Sequence, residues 1–322
     1  MATKQLIGDF KEQYRRIHDY AHELLRSNPG STVKVEVDSV NGEYKGELLT
    51  AIGRDPNDQM LPLAYAIVEV ENKDTWSWFL QLLVQDLGGN EVCGRCTWMS
   101  DQQKGLMHAI DELLPRVDQR FCMRYWSRSL FTNQAVCDSL DNNICEAFNS
   151  VIVLARGKPI ITMLEEIRLY LMKHWATNRT KVAAMEFTIC PKINTMLMEE
   201  SNLFRYWIPS WSGRKLFEVR HVAVMSNKFT VDLESQKCSC RKWKISGIPC
   251  CHAIVAMNYY NEDPKNFIPS CFTRSTYEAT YAAMIYPVNG QLLWEKTSFV
   301  DVLPPLIRKL PGRPKKKRKL EA

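Results

Sequence analysis

The chain has 322 residues, of which 45% are apolar and 24% are charged, so its composition is that of ordinary soluble domains and its length is typical of two. No run of 18 apolar residues occurs, which excludes a membrane-spanning helix, and the N-terminal segment lacks the apolar core of a secretory signal. The net charge of +6 is unevenly distributed, because residues 308–319 contain eight basic residues and no acidic one. We therefore expect the basic character to belong to the tail rather than to the folded body.

The first 190 residues alternate between strand-like and helix-like patterns, which is typical of an α/β domain. Helices are predicted where apolar residues recur at helical spacing, and strands where short apolar or alternating runs lie between polar turns. The predicted helices are residues 9–27, 72–87, 102–114, 139–155 and 160–186. The predicted strands are residues 32–37, 46–54, 60–70, 97–100 and 120–124.

The second part of the chain is predicted to contain a small ββα unit at 216–260. Residues 191–215 lack periodicity and are interpreted as a connection. Two short strands at 216–225 and 228–233 form a predicted hairpin, and an apolar helix follows at 250–260. The remaining residues are divided into an extension that is expected to return to the body, 261–307, and a basic tail, 308–322.

Four cysteine and histidine residues between the hairpin and the helix have the spacing of a zinc site. Cys238 and Cys240 are two positions apart at a predicted strand end, where alternate side chains share a face. Cys250 and His252 lie in the first turn of the predicted helix, where the helix N-terminus favours a thiolate. Three thiolates and one imidazole suit structural tetrahedral zinc, so these four residues are predicted to bind Zn²⁺.

The other cysteines are predicted to be ordinary thiols. The chain has 11 cysteines, an odd number, which argues against a disulfide framework and for a reducing compartment. Cys251 is expected to point away from the metal and to pack in the core. Cys93 and Cys96 form an isolated C-x-x-C with no second pair at zinc spacing, and we interpret them as inert thiols.

The segment around the predicted zinc site resembles a known family. CSCRKWKISGIPCCHAIVAM is similar to the SWIM zinc finger of plant Mutator-like element (MULE) transposases. The resemblance extends to LLTAIGRDPNDQMLPLAYAIVEVENKDTWSWFLQLL, MSDQQKGLMHAIDELLP and NNICEAFNSVI, and to GRPKKKRK in the tail. It implies an α/β fold with a damaged RNase H-like transposase core at 1–190, a small ββα SWIM zinc finger at 216–260 and a basic tail.

The resemblance also implies a site of three carboxylates that hold two metal ions, Mg²⁺ in an intact transposase. By motif, the second and third carboxylates are Asp101 in MSDQQKG and Glu146 in NNICEAFNS. From the residues alone, Asp101 also suits a helix N-cap and Glu146 a solvated helix position. The strand that carries the first aspartate in the family is missing before GELLTAIG, and Asp38 is the nearest substitute. We therefore interpret Asp101 and Glu146 as relics of a catalytic site.

A second departure from the family follows Cys122. The family continues with a histidine three residues later and then a long helical insertion, whereas Tyr125 stands at that position here and the insertion is missing. The chain thus resembles an internally deleted transposase relative, or the product of a faulty gene model of one.

The tail combines two signals. The dense basic run Lys315–Lys319 is typical of a nuclear import signal, which predicts an import receptor as a partner and the nucleus as the location. Gly312, Arg313 and Pro314 resemble the core of an AT-hook, in which an extended arginine enters a narrow A·T minor groove. A solvated charge run with neither role remains an alternative.

Three functions are compatible with these features. The first is a zinc-binding, transposase-derived nuclear protein that contacts DNA or protein and lacks transposase activity. The second is an active metal-dependent DNA transposase that uses Asp38, Asp101 and Glu146. The third is a domesticated SWIM-bearing transcription regulator, similar to the far-red-response family. None of them involves a membrane.

Overall fold

The computed structural model describes residues 10–36, 46–100, 103–115, 117–121 and 143–302. Several residues singled out in the sequence lie outside the described residues: Asp38, Asp101, Cys122, Tyr125 and the tail from 308 onward.

The described chain mixes helices and strands, so the prediction of an α/β fold is confirmed. The helices are α1 Phe10–Arg15, α2 Ile17–Ser27, α3 Lys73–Asp86, α4 Asn90–Cys93, α5 Lys104–Leu113, α6 Asn143–Ile152, α7 Ile160–Ala184, α8 Pro191–Leu203, α9 Lys242–Ser246, α10 Cys251–Tyr259 and α11 Arg274–Tyr281. The strands are β1 Glu47–Arg54, β2 Met60–Val68, β3 Thr97–Ser100, β4 Asp118–Phe121, β5 Trp207–Gly213, β6 Leu216–His221, β7 Lys228–Asp232 and β8 Lys237–Cys238. Among the described residues no helix is both long and apolar enough to cross a membrane.

Strands β1 and β2 form an antiparallel hairpin that is covered on both faces. Its turn is organised by the buried carboxylate of Asp55, which accepts hydrogen bonds from the backbone N–H groups of Asn57 at 2.9 Å and Gln59 at 2.8 Å. One face packs against α3 and α5 around Leu49, and the other packs against α6 and α7 around Ile52. This double cover explains why both strands are apolar along most of their length.

Strands β3 and β4 pair in parallel, from Thr97 opposite Asp118 to Ser100 opposite Phe121. In the described residues this pair is not hydrogen-bonded to the β1–β2 hairpin, so the first half contains two separate two-stranded sheets.

The strand predicted at 32–37 is not formed in its described part. Residues 31–36 have no regular secondary structure, and Val33 and Val35 are half-buried while Lys34 and Glu36 are exposed. The alternating pattern is therefore real, but no described strand pairs with the segment. Val35 instead packs beside the N-terminal helices.

Residues 191–215 are not an irregular connection. They contain helix α8 and strand β5. Helix α8 begins with Pro191 in its first turn and buries only a narrow stripe, Ile193, Leu197 and Glu200. One of these three buried residues is charged, so the hydrophobic periodicity of the segment is weak. For this reason the sequence pattern does not predict the helix.

The second half is built on a four-stranded antiparallel sheet in the order β5-β6-β7-β8, with α10 packed against it. The predicted hairpin is therefore the centre of a larger sheet. The core between sheet and helix contains Phe217, Val219 and Val231 from the strands and Ala253 and Met257 from α10.

The segment after α11 returns to the N-terminal helices. Backbone N–H groups of Asn289 and Thr297 donate to Glu23 at 3.1 Å and Asp19 at 2.8 Å. Trp294 is buried against Tyr20, with ring centroids 5.3 Å apart. We call residues 282–302 the C-terminal strap.

Candidate metal centre

The four predicted zinc ligands come from two junctions between sheet and helix. Cys238 ends β8, and Cys240 follows in the tight turn that leads to α9. The turn requires Arg241 in the left-handed region, at φ +66°, and its N–H donates to the carbonyl of Cys238 at 2.8 Å. Cys250 is the N-cap of α10 and His252 is the second residue of that helix.

The ligand atoms of these four residues all lie within 4.8 Å of one another. The Cys240 and Cys250 Sγ atoms are 3.5 Å apart, and Nδ1 of His252 is 3.6 Å from Cys238 Sγ and 3.7 Å from Cys250 Sγ. Cys238, Cys250 and His252 are buried, and Cys240 is half-buried. The cluster is therefore a closed, mostly dry group of three sulfurs and one nitrogen.

These separations fit a tetrahedral zinc ion. Zn–S bonds of about 2.3 Å and a Zn–N bond of about 2.0 Å place two sulfurs about 3.8 Å apart and a sulfur about 3.6 Å from the nitrogen. The distances from His252 Nδ1 to the two sulfurs and between the Cys240 and Cys250 sulfurs lie close to these values. The donor set and its geometry thus support a structural zinc ion.

The surroundings of His252 fix the orientation of its ring toward the three sulfurs. Its ring is held edge-to-face against Trp207 at 4.1 Å and stacked on Phe229 at 4.2 Å. Nδ1 faces the sulfurs, whereas Nε2 is buried and has no hydrogen-bond partner among the described residues. A proton on Nε2 leaves the lone pair of Nδ1 free for a metal, and the aromatic walls fix the plane of the ring.

The sulfur atoms cannot all carry charge without a cation. Hydrogen bonding with Cys238 and Cys250 lowers the pKa of Cys240, while hydrogen bonding with Cys240 raises the pKa of Cys238 to about 12. Hydrogen bonding with both neighbours and burial raise the pKa of Cys250 well above its usual value. The three sulfurs therefore disfavour carrying three negative charges together, and binding of a zinc ion to them is expected to release protons.

The comparison with protein families agrees with this geometry. Residues 229–261 match the family model of the SWIM zinc finger, and residues 40–128 match that of the MULE transposase domain. The chain carries a SWIM zinc finger behind a MULE transposase domain. No curated protein and no solved structure matches the chain.

The SWIM match begins in β7 and ends after α10, so it contains all four ligands. It leaves out α8, β5 and β6, although Trp207 of β5 forms a wall of the histidine site. Sequence reasoning did not identify Trp207, because 191–215 was interpreted as a connection. The sequence signal that could have drawn attention to this segment is the pair of tryptophans, Trp207 and Trp211, four positions apart.

Cys251 lies outside the cluster of ligand atoms in the SWIM finger. It is 8% exposed, and burial raises the pKa of its thiol to about 11. Such a thiol is a poor metal ligand and a poor nucleophile at neutral pH.

The isolated C-x-x-C pair is divided between core and surface. Cys93 is fully buried in the cluster between the hairpin, α3 and α5, and burial raises the pKa of its thiol. Cys96 is exposed. Among the described residues these two cysteines belong to no group that could hold a metal.

The carboxylates assigned from the transposase motif are not brought together by the described residues. Glu146 is exposed in the first turn of α6, beyond the end of the MULE match. Asp101 falls within that match but lies outside the described residues. Asp38 also lies outside the described residues, and it precedes the match.

Proposed function

We propose that this chain is a transposase-derived nuclear protein that contacts DNA or protein, is held together in its second half by one structural zinc ion, and lacks transposase activity. The observation that carries the proposal is the closed cluster of Cys238, Cys240, Cys250 and His252 inside the SWIM finger. Four protein ligands leave no coordination position for water, which favours a structural ion over a hydrolytic one.

Two observations support the loss of catalysis. By its resemblance to the family, the sequence before β1 departs from the pattern that carries the first aspartate. In the described residues, β1–β2 and β3–β4 form two separate two-stranded sheets, and no cluster of carboxylates that could hold a metal ion is brought together there. A two-metal site needs carboxylates for both ions, so loss of one should remove most of its charge stabilisation.

Contact with a macromolecule is supported by the finger and the tail. SWIM zinc fingers are often involved in binding DNA or protein. The tail contributes the basic run Lys315–Lys319 and the AT-hook-like Gly312, Arg313 and Pro314. A nuclear import receptor is the partner that this run fits best, which is the basis for proposing the nucleus.

Catalysis is tested with DNA that carries terminal inverted repeats, in Mg²⁺ or Mn²⁺. We expect neither nicking nor strand transfer by the full chain, measured on labelled DNA by gel electrophoresis. The matched control is Asp111→Asn, on the exposed side of α5. Cleavage that is abolished by Asp101→Asn but not by Asp111→Asn would overturn this proposal and favour the active transposase instead.

A further inference from the structure

One carboxylate from outside the matched SWIM finger contacts a residue next to each of the two pairs of zinc ligands. Glu200 lies on α8 and is 7% exposed. Its Oε2 accepts a hydrogen bond from the backbone N–H of Cys251 at 3.0 Å, and its Oε1 is paired with the ammonium group of Lys242. Cys251 stands between two ligands, and Lys242 follows a third by two residues.

The contact at Cys251 acts on the start of α10. The first N–H groups of a helix have no partner within the helix, and an N-cap side chain normally accepts from one of them. Here the N-cap is Cys250, whose side chain makes no capping hydrogen bond because its sulfur faces the cluster. Glu200 supplies the missing acceptor, with a charge that suits the positive end of the helix. It thereby holds the segment from which Cys250 and His252 project.

The contact at Lys242 acts on the other pair of ligands. Lys242 is the first residue of α9, directly after the left-handed Arg241 that closes the turn behind Cys240. Pairing of its ammonium group with Glu200 ties this turn to α8. One carboxylate thus holds the two ligand-bearing junctions at a fixed separation.

Glu200 is itself held in place by the core. Ile193 and Leu197, on the same stripe of α8, are packed in one cluster with Ile248 and Ile254, which flank the start of α10. At the other end of α8, the side-chain oxygen of Asn57 accepts from the N–H of Lys192 at 2.8 Å. The carboxylate therefore sits on a helix that is anchored at its N-terminal end and along its buried stripe.

We propose that Glu200 is a positioning residue of the zinc site, which orders the two ligand pairs before the metal binds. This inference rests on the proposed zinc binding by the four residues. Groups that orient metal ligands without touching the metal typically change metal affinity by about 10- to 100-fold when they are removed. We expect a change in this range from loss of Glu200.

The experiment compares the full chain with Glu200→Ala, Glu200→Gln and Glu199→Gln. Glu199 is exposed on the same helix and serves as the matched control. Zinc dissociation constants are measured by chelator competition at 10 °C, with folding checked by circular dichroism. Cobalt replaces zinc in a parallel series, because its visible absorption bands report the geometry of the ligand set.

We expect Glu200→Ala to weaken zinc binding by about 10- to 100-fold and to shift the cobalt bands. Glu200→Gln retains a carbonyl oxygen for the Cys251 N–H, so it should recover part of the affinity, and Glu199→Gln should match the parent chain. Parental affinity and parental cobalt bands in folded Glu200→Ala, even with a lower melting temperature, would overturn the positioning role alone. Absence of zinc from the parent chain would overturn the proposed function as well.

Discussion

Adjacent residues Cys250 and Cys251 are chemically identical, and the backbone gives them different environments. Cys250 is extended, with φ −74° and ψ 164°, so its sulfur turns toward the cluster. Cys251 is the first helical residue and is directed by the helix to another side. Which of the two cysteines faces the cluster depends on the residue at which the helix begins. The pattern C-x-C…C-C-H does not by itself specify that residue.

Two substitutions at this junction separate a ligand from its neighbour. His252→Ala removes a ligand and opens the aromatic slot between Trp207 and Phe229, so zinc affinity should fall by at least about 100-fold. Cys251→Ser should retain one zinc per chain, at a modest cost in stability from the buried hydroxyl. Native mass spectrometry of the full chain measures the stoichiometry. Zinc lost from Cys251→Ser but kept in Cys250→Ser would show that the adjacent thiol is the ligand.

At the scale of elements, helices and strands were predicted correctly from the sequence where their apolar pattern reflects packing against a single core. Helix α3 and the hairpin strands have strong apolar patterns because each packs against a continuous core, and their predicted limits are within a few residues of those observed. The zinc ligands were found for a similar reason, since metal chemistry requires few residue types at short spacing.

The elements that were missed depend on partners distant in sequence. Helix α8 is anchored by Asn57 and buries Glu200, whose partners are Cys251 and Lys242. No local pattern marks a glutamate that is buried because of a helix start some 50 residues later. Conversely, Val33 and Val35 alternate like a strand without a described strand to pair with, because alternation reports burial of one side rather than hydrogen bonding.

The contact between α2 and the C-terminal strap should loosen in acid. Hydrogen bonds from Arg26, at 2.7 Å, and from the N–H of Asn289 lower the pKa of Glu23 from an ordinary 4.5 to about 2. A folded-state pKa below the unfolded one stabilises the fold above about pH 4.5, and this contribution is lost as the pH falls toward 2.

Arg26 is half-exposed, and solvent weakens its attraction to Glu23. We therefore expect the ionised Glu23 to contribute on the order of 1 kcal/mol to the free energy of unfolding. Urea unfolding of the parent chain and Glu23→Gln at pH 7, 5 and 3 tests this. The difference in the free energy of unfolding between the parent chain and Glu23→Gln should be largest at pH 7 and smaller at pH 3. The exposed Glu36→Gln serves as the control. A gap that stays constant with pH would exclude the ionised contact as its source.

At the scale of the whole molecule, polar contacts join the hairpin turn of the matched MULE domain to two helices that lie outside the SWIM match. The hydroxyl of Tyr281 on α11 donates to Asp55 in the hairpin turn at 2.8 Å, and both residues are almost fully buried. Lys192 on α8 pairs with Asp58 of the same turn at 2.7 Å. The turn of the transposase domain is therefore part of the support of the helix that carries Glu200.

The charge of the whole molecule predicts how it binds DNA. Residues 308–319 hold eight of the 42 basic residues, and the rest of the chain has 34 basic against 36 acidic residues. Binding should therefore be weak, borne by the tail and steeply dependent on salt, with a log–log slope of about −4 to −5 for about five neutralised phosphates. Fluorescence anisotropy with duplex DNA at several salt concentrations measures the slope. An unchanged slope after deletion of 308–322 would place the DNA site on the folded body.

The C-terminal strap also sets the order in which a growing chain can fold. Ile17 and Tyr20 find part of their apolar cover in Trp294 and Val302, and Glu23 meets Asn289 across 266 residues of sequence. At about 5–20 residues per second, a ribosome needs roughly 13 to 53 seconds to make that interval. Helices α1 and α2 are thus made well before the strap that covers them, and until the strap is made their apolar face stays without that cover.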